Sequence, residues 1–387
     1  MIEILLLTRI LVDYAWEYKS LNVVHTGFVL VAAAFYISRK LRTDTKLKIT
    51  DILVLLFAIY VVFSFITTRT DRGLYDFVKL MPCAAYYAIG RFYNRTPSMS
   101  ILPGAAAATI AALFLAASVG VGYIDWGGIK TFTAGYFFKT DAALGVVVLT
   151  TFALLWSRNV LVTAALVLIS SSVVFATNAR IAIPLVLVLP GLLYLSQRGL
   201  FSKSTRALAF TAGLTVLAIG LFSFIDLGSL NLLGLDLSDP FSDKNTQGRT
   251  HIWAALINYY NNLDLYHKLT GAGLAADIVA ASEFYQNDGF TESRAHNSFL
   301  WLLVCFGWIG GALYLSMLAG FVRQAHAMAL ENPKSKLLFL FASLFVAFLV
   351  FSISTEAVVK PQITFPLFLF AGFCANPLFR KPATAGN

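Results

Sequence analysis

Three short polar runs interrupt an otherwise strongly apolar chain, and each carries a residue able to handle an anion or a proton. The first is Thr177-Asn178-Ala179-Arg180, where an arginine falls between two apolar segments with almost no connection separating them. A guanidinium at such depth is costly unless it faces a cavity, a carboxylate or an anionic ligand, although snorkelling to the interface would serve as well. The second run begins Gly248-Arg249-Thr250-His251-Ile252-Trp253 and continues to Tyr260. Arg249, Trp253, Leu256 and Tyr260 recur at helical spacing, which predicts an amphipathic helix along the membrane surface. There Arg249 either meets lipid headgroups or turns its planar donor fork on a phosphate. The third is Arg294-Ala295-His296-Asn297-Ser298-Phe299-Leu300, which runs into the strongest apolar segment of the chain. His296 is expected at the mouth of that helix with Asn297 or Ser298 as its cap. Anions are favoured at such a position by unpaired amides and the dipole, and an imidazole can exchange a proton there near neutral pH. Anchoring the helix at the interface is the plainer alternative for His296. Glu356 and Lys360, in the short connection between the last two apolar segments, are candidates to pair with Arg180.

The elements that must position these residues are dictated by solvent. Of 387 residues, 58% are hydrophobic and 13% charged, with a mean hydropathy of +0.74, a balance no water-soluble core could hide. A bilayer crossing needs roughly 20 mostly apolar residues per helix, and the apolar stretches here are long and continuous rather than alternating, so helices are expected rather than a barrel. Candidate spans run 1–12, 21–38, 50–66, 74–90, 99–122, 141–156, 160–177, 181–196, 207–227, 297–322, 337–353 and 361–376. The first is too short to cross alone, so the expectation is an all-α integral membrane protein of 11 or 12 transmembrane helices. It reads as one polytopic domain over 1–387, with one large loop, 229–295, between spans nine and ten. Glu3 and Arg9 in the first stretch, with no small-residue cleavage site after it, argue that this helix is retained.

Orientation follows from the cations. Clusters at 39–48, 91–95, 158, 198–206, 323–336 and 380–381 hold the larger share of the 29 Lys and Arg residues. They fall in alternate connections, which puts both termini in the cytoplasm and Arg180, the 229–295 loop, His296 and Glu356 together on the outer face. The same clustering between apolar segments speaks against nucleic acid as the reason for the net charge of +9. Cys83, Cys305 and Cys374 lie inside apolar segments with no metal-ligand spacing, so they read as packing residues. Gly271-Ala272-Gly273 reads as a tight turn. Two outward arginines, a helix-mouth histidine and an acid on one face describe a pocket for a pyrophosphate beside a base.

The ordered set of Arg180 after the "TNAR" turn, "GRTHIW" in the large loop and "AHNSFL" where it re-enters the membrane resembles the bacterial O-antigen ligase and O-antigen polymerase superfamily, over roughly residues 145–376. That resemblance implies a GT-C-like membrane fold and glycosyl transfer at the periplasmic face of the inner membrane. The implied donor is an undecaprenyl-pyrophosphate-linked glycan and the acceptor a sugar hydroxyl, with no metal or other cofactor. It further implies that Arg180 and Arg249 hold the pyrophosphate and that His296 is the general base or helps bind the phosphates, with Trp253, Asn297 and Glu356 in support. A glycan or lipid A core is the implied acceptor, and a chain-length regulator and a flippase are further partners the resemblance allows. A repeat-unit polymerase of O-antigen, capsule or exopolysaccharide is the favoured reading. Such an enzyme binds two lipid-linked glycans, for which Lys130, Lys139 or Lys268 could supply extra outward charge. A ligase is the second reading. A flippase or transporter is the third, disfavoured because its halves should be related and its polar residues near the midplane.

Overall fold

The computed structural model of the chain describes residues 1–14, 17–41, 46–68, 70–95, 97–126, 129–157, 159–179, 181–202, 249–285 and 293–380. Eleven of the twelve apolar segments expected from the sequence are helices, and the twelfth, 207–227, lies outside the described residues. In chain order they are α1 (Ile2–Tyr14), α2 (Lys19–Leu41), α3 (Ile49–Thr68), α4 (Asp71–Phe92), α5 (Leu102–Ser118), α6 (Lys139–Ala153), α7 (Val160–Ala176) and α8 (Ala182–Gln197). After the large loop come α12 (Ser298–Glu331), α13 (Lys336–Ser354) and α14 (Pro361–Ala375), and within that loop α9 (Arg249–Asn262), α10 (Leu265–Thr270) and α11 (Ala276–Tyr285).

Among the described residues five helices are long and apolar enough to cross a bilayer, over Ser20–Lys40, Ile49–Thr68, Lys139–Trp156, Ser298–Glu331 and Lys336–Ser354. Shorter apolar helices at Leu102–Ser118, Val160–Ala176, Ala182–Gln197 and Pro361–Ala375 complete a helical architecture compatible with a multi-pass membrane protein. Exposed Val23, Val24, Phe28, Val31 and Phe35 on α2 and Leu55, Ile59 and Phe63 on α3 give it an apolar outer face. At 13 residues α1 is about 20 Å long, well short of a bilayer core, and it packs inward through Ile2, Leu5 and Leu6 with a buried Arg9–Asp13 ion pair. Among the described residues the one departure from all-α structure is a hairpin of β1 (Tyr123–Trp126) and β2 (Ile129–Phe132), antiparallel with Tyr123 opposite Phe132.

Helix α14 forms the centre, with every residue from Ile363 to Ala375 buried. It crosses α4 backbone to backbone: a Cβ on Gly90 would lie 2.1 Å from the Leu369 carbonyl oxygen, and one on Gly372 would lie 2.3 Å from that of Tyr87. Small residues at such crossings let helices gain dispersion contacts that lipid cannot match. The α4 helix is 22 residues long but carries Asp71, Arg72, Asp76, Lys79 and Arg91, which it can hold because the bundle encloses it.

The second close approach breaks a helix. In α12, Gly307 adopts φ 62° and ψ −167°, a region open essentially to glycine alone. The carbonyls this frees are claimed from outside: Ala272 N donates to Val304 O (2.8 Å), Gly273 N to Cys305 O (3.1 Å) and the Tyr60 hydroxyl to Phe306 O (3.0 Å). The Gly271-Ala272-Gly273 turn is therefore inserted into the break. Helix α9 buries Ile252, Leu256 and Tyr260 against α11 and α12, so its apolar stripe faces protein where the sequence reading laid it along the membrane surface.

Candidate active site

Six segments meet at one end of the bundle: the end of α3, the starts of α4, α6 and α12, the turn between α13 and α14, and α11. The sequence explains each approach. Asn297 caps α12 by accepting from Phe299 N (2.9 Å) and Leu300 N (3.0 Å), while its amide group donates to Ile353 O (3.2 Å). Ser298 Oγ donates to Thr355 O (3.1 Å) and accepts from Val358 N (3.4 Å). The cap of α12 and the turn after α13 are thereby stapled together, which brings Glu356 against His296.

His296 donates its backbone N–H to Glu356 Oε1 in a short hydrogen bond. Its imidazole Nδ1 lies 3.6 Å from the same oxygen, an electrostatic contact rather than a hydrogen bond. The second carboxylate oxygen accepts from Thr355 Oγ1 at 3.3 Å. His296 holds φ 47°, a left-handed conformation that costs a non-glycine residue about 1 kcal/mol or more. Neighbouring bonds hold it there: Trp253 Nε1 donates to Ala295 O (3.0 Å), and Ala295 N donates to Asp277 Oδ2 (3.2 Å).

Around this pair lies a set of buried charges. Arg294 Nη1 is 2.9 Å from Asp76 Oδ2 and 3.9 Å from Asp277 Oδ1, both acids being fully buried. Lys360 Nζ is 2.7 Å from Asp141 Oδ1. Arg249, at the start of α9, is the exception. It is partly buried and feels the charge of Glu356, but among the described residues its guanidinium has no hydrogen-bond or ion-pair partner.

The electrostatics separate an acid from a base. Burial would raise the Glu356 carboxyl, but the charges of His296, Lys360 and Arg294 and the His296 amide outweigh it and hold it at about 2. Burial pushes the His296 imidazole below its ordinary value; Glu356 opposes this, while Arg249, Lys360 and Arg294 reinforce it. At neutral pH the site thus holds a neutral imidazole against an ionised carboxylate, with an uncommitted guanidinium nearby. Burial likewise raises Asp277 despite the opposing charge of Arg294. Among the described residues no three His, Cys, Asp or Glu side chains are grouped as metal ligands.

Of the residues singled out from sequence, Arg249, Trp253, His296, Asn297 and Glu356 are brought into this one region. Arg180 lies outside the described residues, as does any pairing of it with Glu356 or Lys360. Ser196 at the far end of α8 donates to Ser335 O before α13, so the start of α8 lies at the end where α13 meets the site. Sequence reasoning passed over Arg294, Asp76, Asp277 and Asp141. Asp76 and Asp141 carried a signal, because an acid within the first turns of an apolar segment is expensive unless paired.

Residues 164–315 match a family model described as O-antigen ligase. The match covers under half of the chain, running from within α7 into α12, and includes Arg249, Arg294 and His296. The resemblance drawn from the motifs therefore holds over the stretch that carries all three of them in full, while Asp76, Asp141, Glu356 and Lys360 lie beyond it. No protein of curated function matches the chain.

Proposed function

We propose that this chain, whose central segment matches the O-antigen ligase family, is a membrane glycosyltransferase that moves a glycan from an undecaprenyl-pyrophosphate carrier to a sugar hydroxyl at the periplasmic face of the inner membrane. The observation that carries the reading is the neutral His296 imidazole set against Glu356 beside the unpaired Arg249. His296 takes the proton of the acceptor hydroxyl as its oxygen attacks the anomeric carbon, and the carbon–oxygen bond to the pyrophosphate breaks with the electron pair leaving on the pyrophosphate. Arg249, and Arg180 with it, meet the charge that develops there. Pre-set cations in a partly dry site supply much of the barrier lowering for such a leaving group, and proton removal contributes about 100- to 10,000-fold. Glu356 orients the imidazole and stabilises the imidazolium that forms.

The favoured acceptor is a second lipid-linked repeat unit, which makes the enzyme a polymerase of O-antigen, capsule or exopolysaccharide. The description of the matching family supports a ligase as the second reading, with lipid A core or another molecule as its acceptor. Surface glycan from cells carrying His296→Ala or Arg249→Ala distinguishes them on a gel. Loss of the long ladder with one repeat still attached supports the polymerase, whereas unattached lipid-linked polymer supports the ligase. Wild-type glycan from both variants would overturn the site.

A further inference from the structure

One cation beside the site is neither paired among the described residues nor used in the reaction as described. Lys79 lies on the face of α4 that carries Asp76 one turn earlier and Cys83 one turn later. This face looks at α14: Tyr86 stacks on Phe365 with ring centroids 4.8 Å apart, and Gly90 abuts the Leu369 backbone. Continuing that register toward the site sets Lys79 level with Lys360 at the start of α14, between the Arg294–Asp76 and Lys360–Asp141 pairs. Its electrostatic neighbours are those same four groups, Asp76, Arg294, Lys360 and Asp141. The four are committed to one another, Asp76 to Arg294 at 2.9 Å and Asp141 to Lys360 at 2.7 Å. Among the described residues Lys79 has neither a hydrogen bond nor an ion pair through its side chain, and it is partly buried. An ammonium carries three donors and no acceptor, and away from bulk water it calls for an anion. Among the described residues Lys79 and Arg249 are thus two uncommitted cations, and Arg294 and Lys360 are spoken for.

We propose that Lys79 is a further cationic contact for the diphosphate of the lipid-linked substrate, reaching it from the N-terminal third of the chain. The proposal rests on the diphosphate-transfer reading of the site. Purified full-length protein in detergent is titrated with inorganic pyrophosphate by calorimetry, using wild type, Lys79→Met, Lys79→Arg and Arg249→Ala, each checked by thermal melting. Lys79→Met weakens pyrophosphate roughly tenfold or more and Lys79→Arg recovers most of the loss, as expected for one charge-assisted contact. Should Lys79→Met fail to fold, Lys79→Gln carries the test. Wild-type affinity in Lys79→Met with loss in Arg249→Ala overturns the role of Lys79 and leaves the site reading standing. Absence of saturable pyrophosphate binding by wild type overturns both. The titration is repeated in nanodiscs of neutral and of anionic phospholipid. If removing the Lys79 charge alters only the response to anionic lipid, the residue contacts headgroups and the proposal fails.

Discussion

His296 is held in a left-handed conformation by bonds from three directions: Glu356 on its own amide, Trp253 on the preceding carbonyl and Asp277 on the preceding amide. Strain maintained in this way is a common mark of a side chain whose direction matters. The charge of Glu356 raises the imidazole's proton affinity against burial, the opposite effect to that of Arg249, Lys360 and Arg294. Glu356→Gln removes that support, so the His296 pKa falls further and the acidic limb of the transfer-rate profile moves to lower pH. The plateau rate also drops, because the imidazolium is no longer stabilised. Rates measured from pH 5 to 9 with a lipid-linked donor check this; an acidic limb that stays in place or rises would sink the assignment of His296 as base. At this scale much was legible: Arg249, His296 and Asn297 sit in short polar runs against apolar surroundings, where a costly residue draws notice. Arg294 was hidden by being read as one more loop charge, and Asp277 by lying in a loop where acids are ordinary. Only the fold joins them to Asp76, some 200 residues away in sequence.

Elements were read from apolar length, which is why helix positions were clear while breaks and contacts were not. A single glycine inside a long apolar run gives no signal that the helix stops, yet α12 is broken at Gly307 and rebuilt by the 271–273 turn. The hairpin was readable in principle, since Gly127-Gly128 between two β-prone runs is a two-residue hairpin pattern, but the surrounding apolar spans drew the reading. Burial of the Ile252, Leu256 and Tyr260 stripe against α11 and α12 could not be told from burial in lipid, because both solvents select the same side chains. The break makes a sharp prediction. A Cβ at Gly307 would sit 2.5 Å from Gly271 N and 2.6 Å from Leu269 O, at a positive φ. Gly307→Ala therefore destabilises the protein by about 1–3 kcal/mol, read as a lower melting temperature in detergent, while Gly311→Ala, with open space around its Cβ position, leaves it within a degree or so of wild type. Equal melting of both variants would refute the insertion.

For the molecule as a whole, the gathering of charges at one end sets both its acid sensitivity and its expected orientation. His296 is held below its ordinary value of 6.5 and Glu356 is lowered from 4.5 to about 2. At these two groups the unfolded chain therefore binds protons before the folded one does. The His296 contribution is complete above about pH 6.5 and is lost as pH falls below it, and that of Glu356 is lost between about 4.5 and 2. The His296 share of the melting temperature consequently declines from pH 7 to pH 5, and is read as the difference in slope between wild type and His296→Asn; identical slopes would contradict it. Orientation is tested with thiols, because Cys83, Cys305 and Cys374 are all buried and unpaired and give the wild-type protein a silent background. Leu265→Cys, on α10, is labelled by an impermeant maleimide in cells with a permeabilised outer membrane, whereas Leu378→Cys, just after α14, reacts only once the inner membrane is opened; the reverse pattern would invert the topology. The plugged break in α12 has a consequence for motion. Two of its carbonyls are satisfied by amides of the 271–273 turn, so lifting that turn away would strand polar backbone in a dry environment at a cost of several kcal/mol. This part of the large loop is a fixed wall, not a lid.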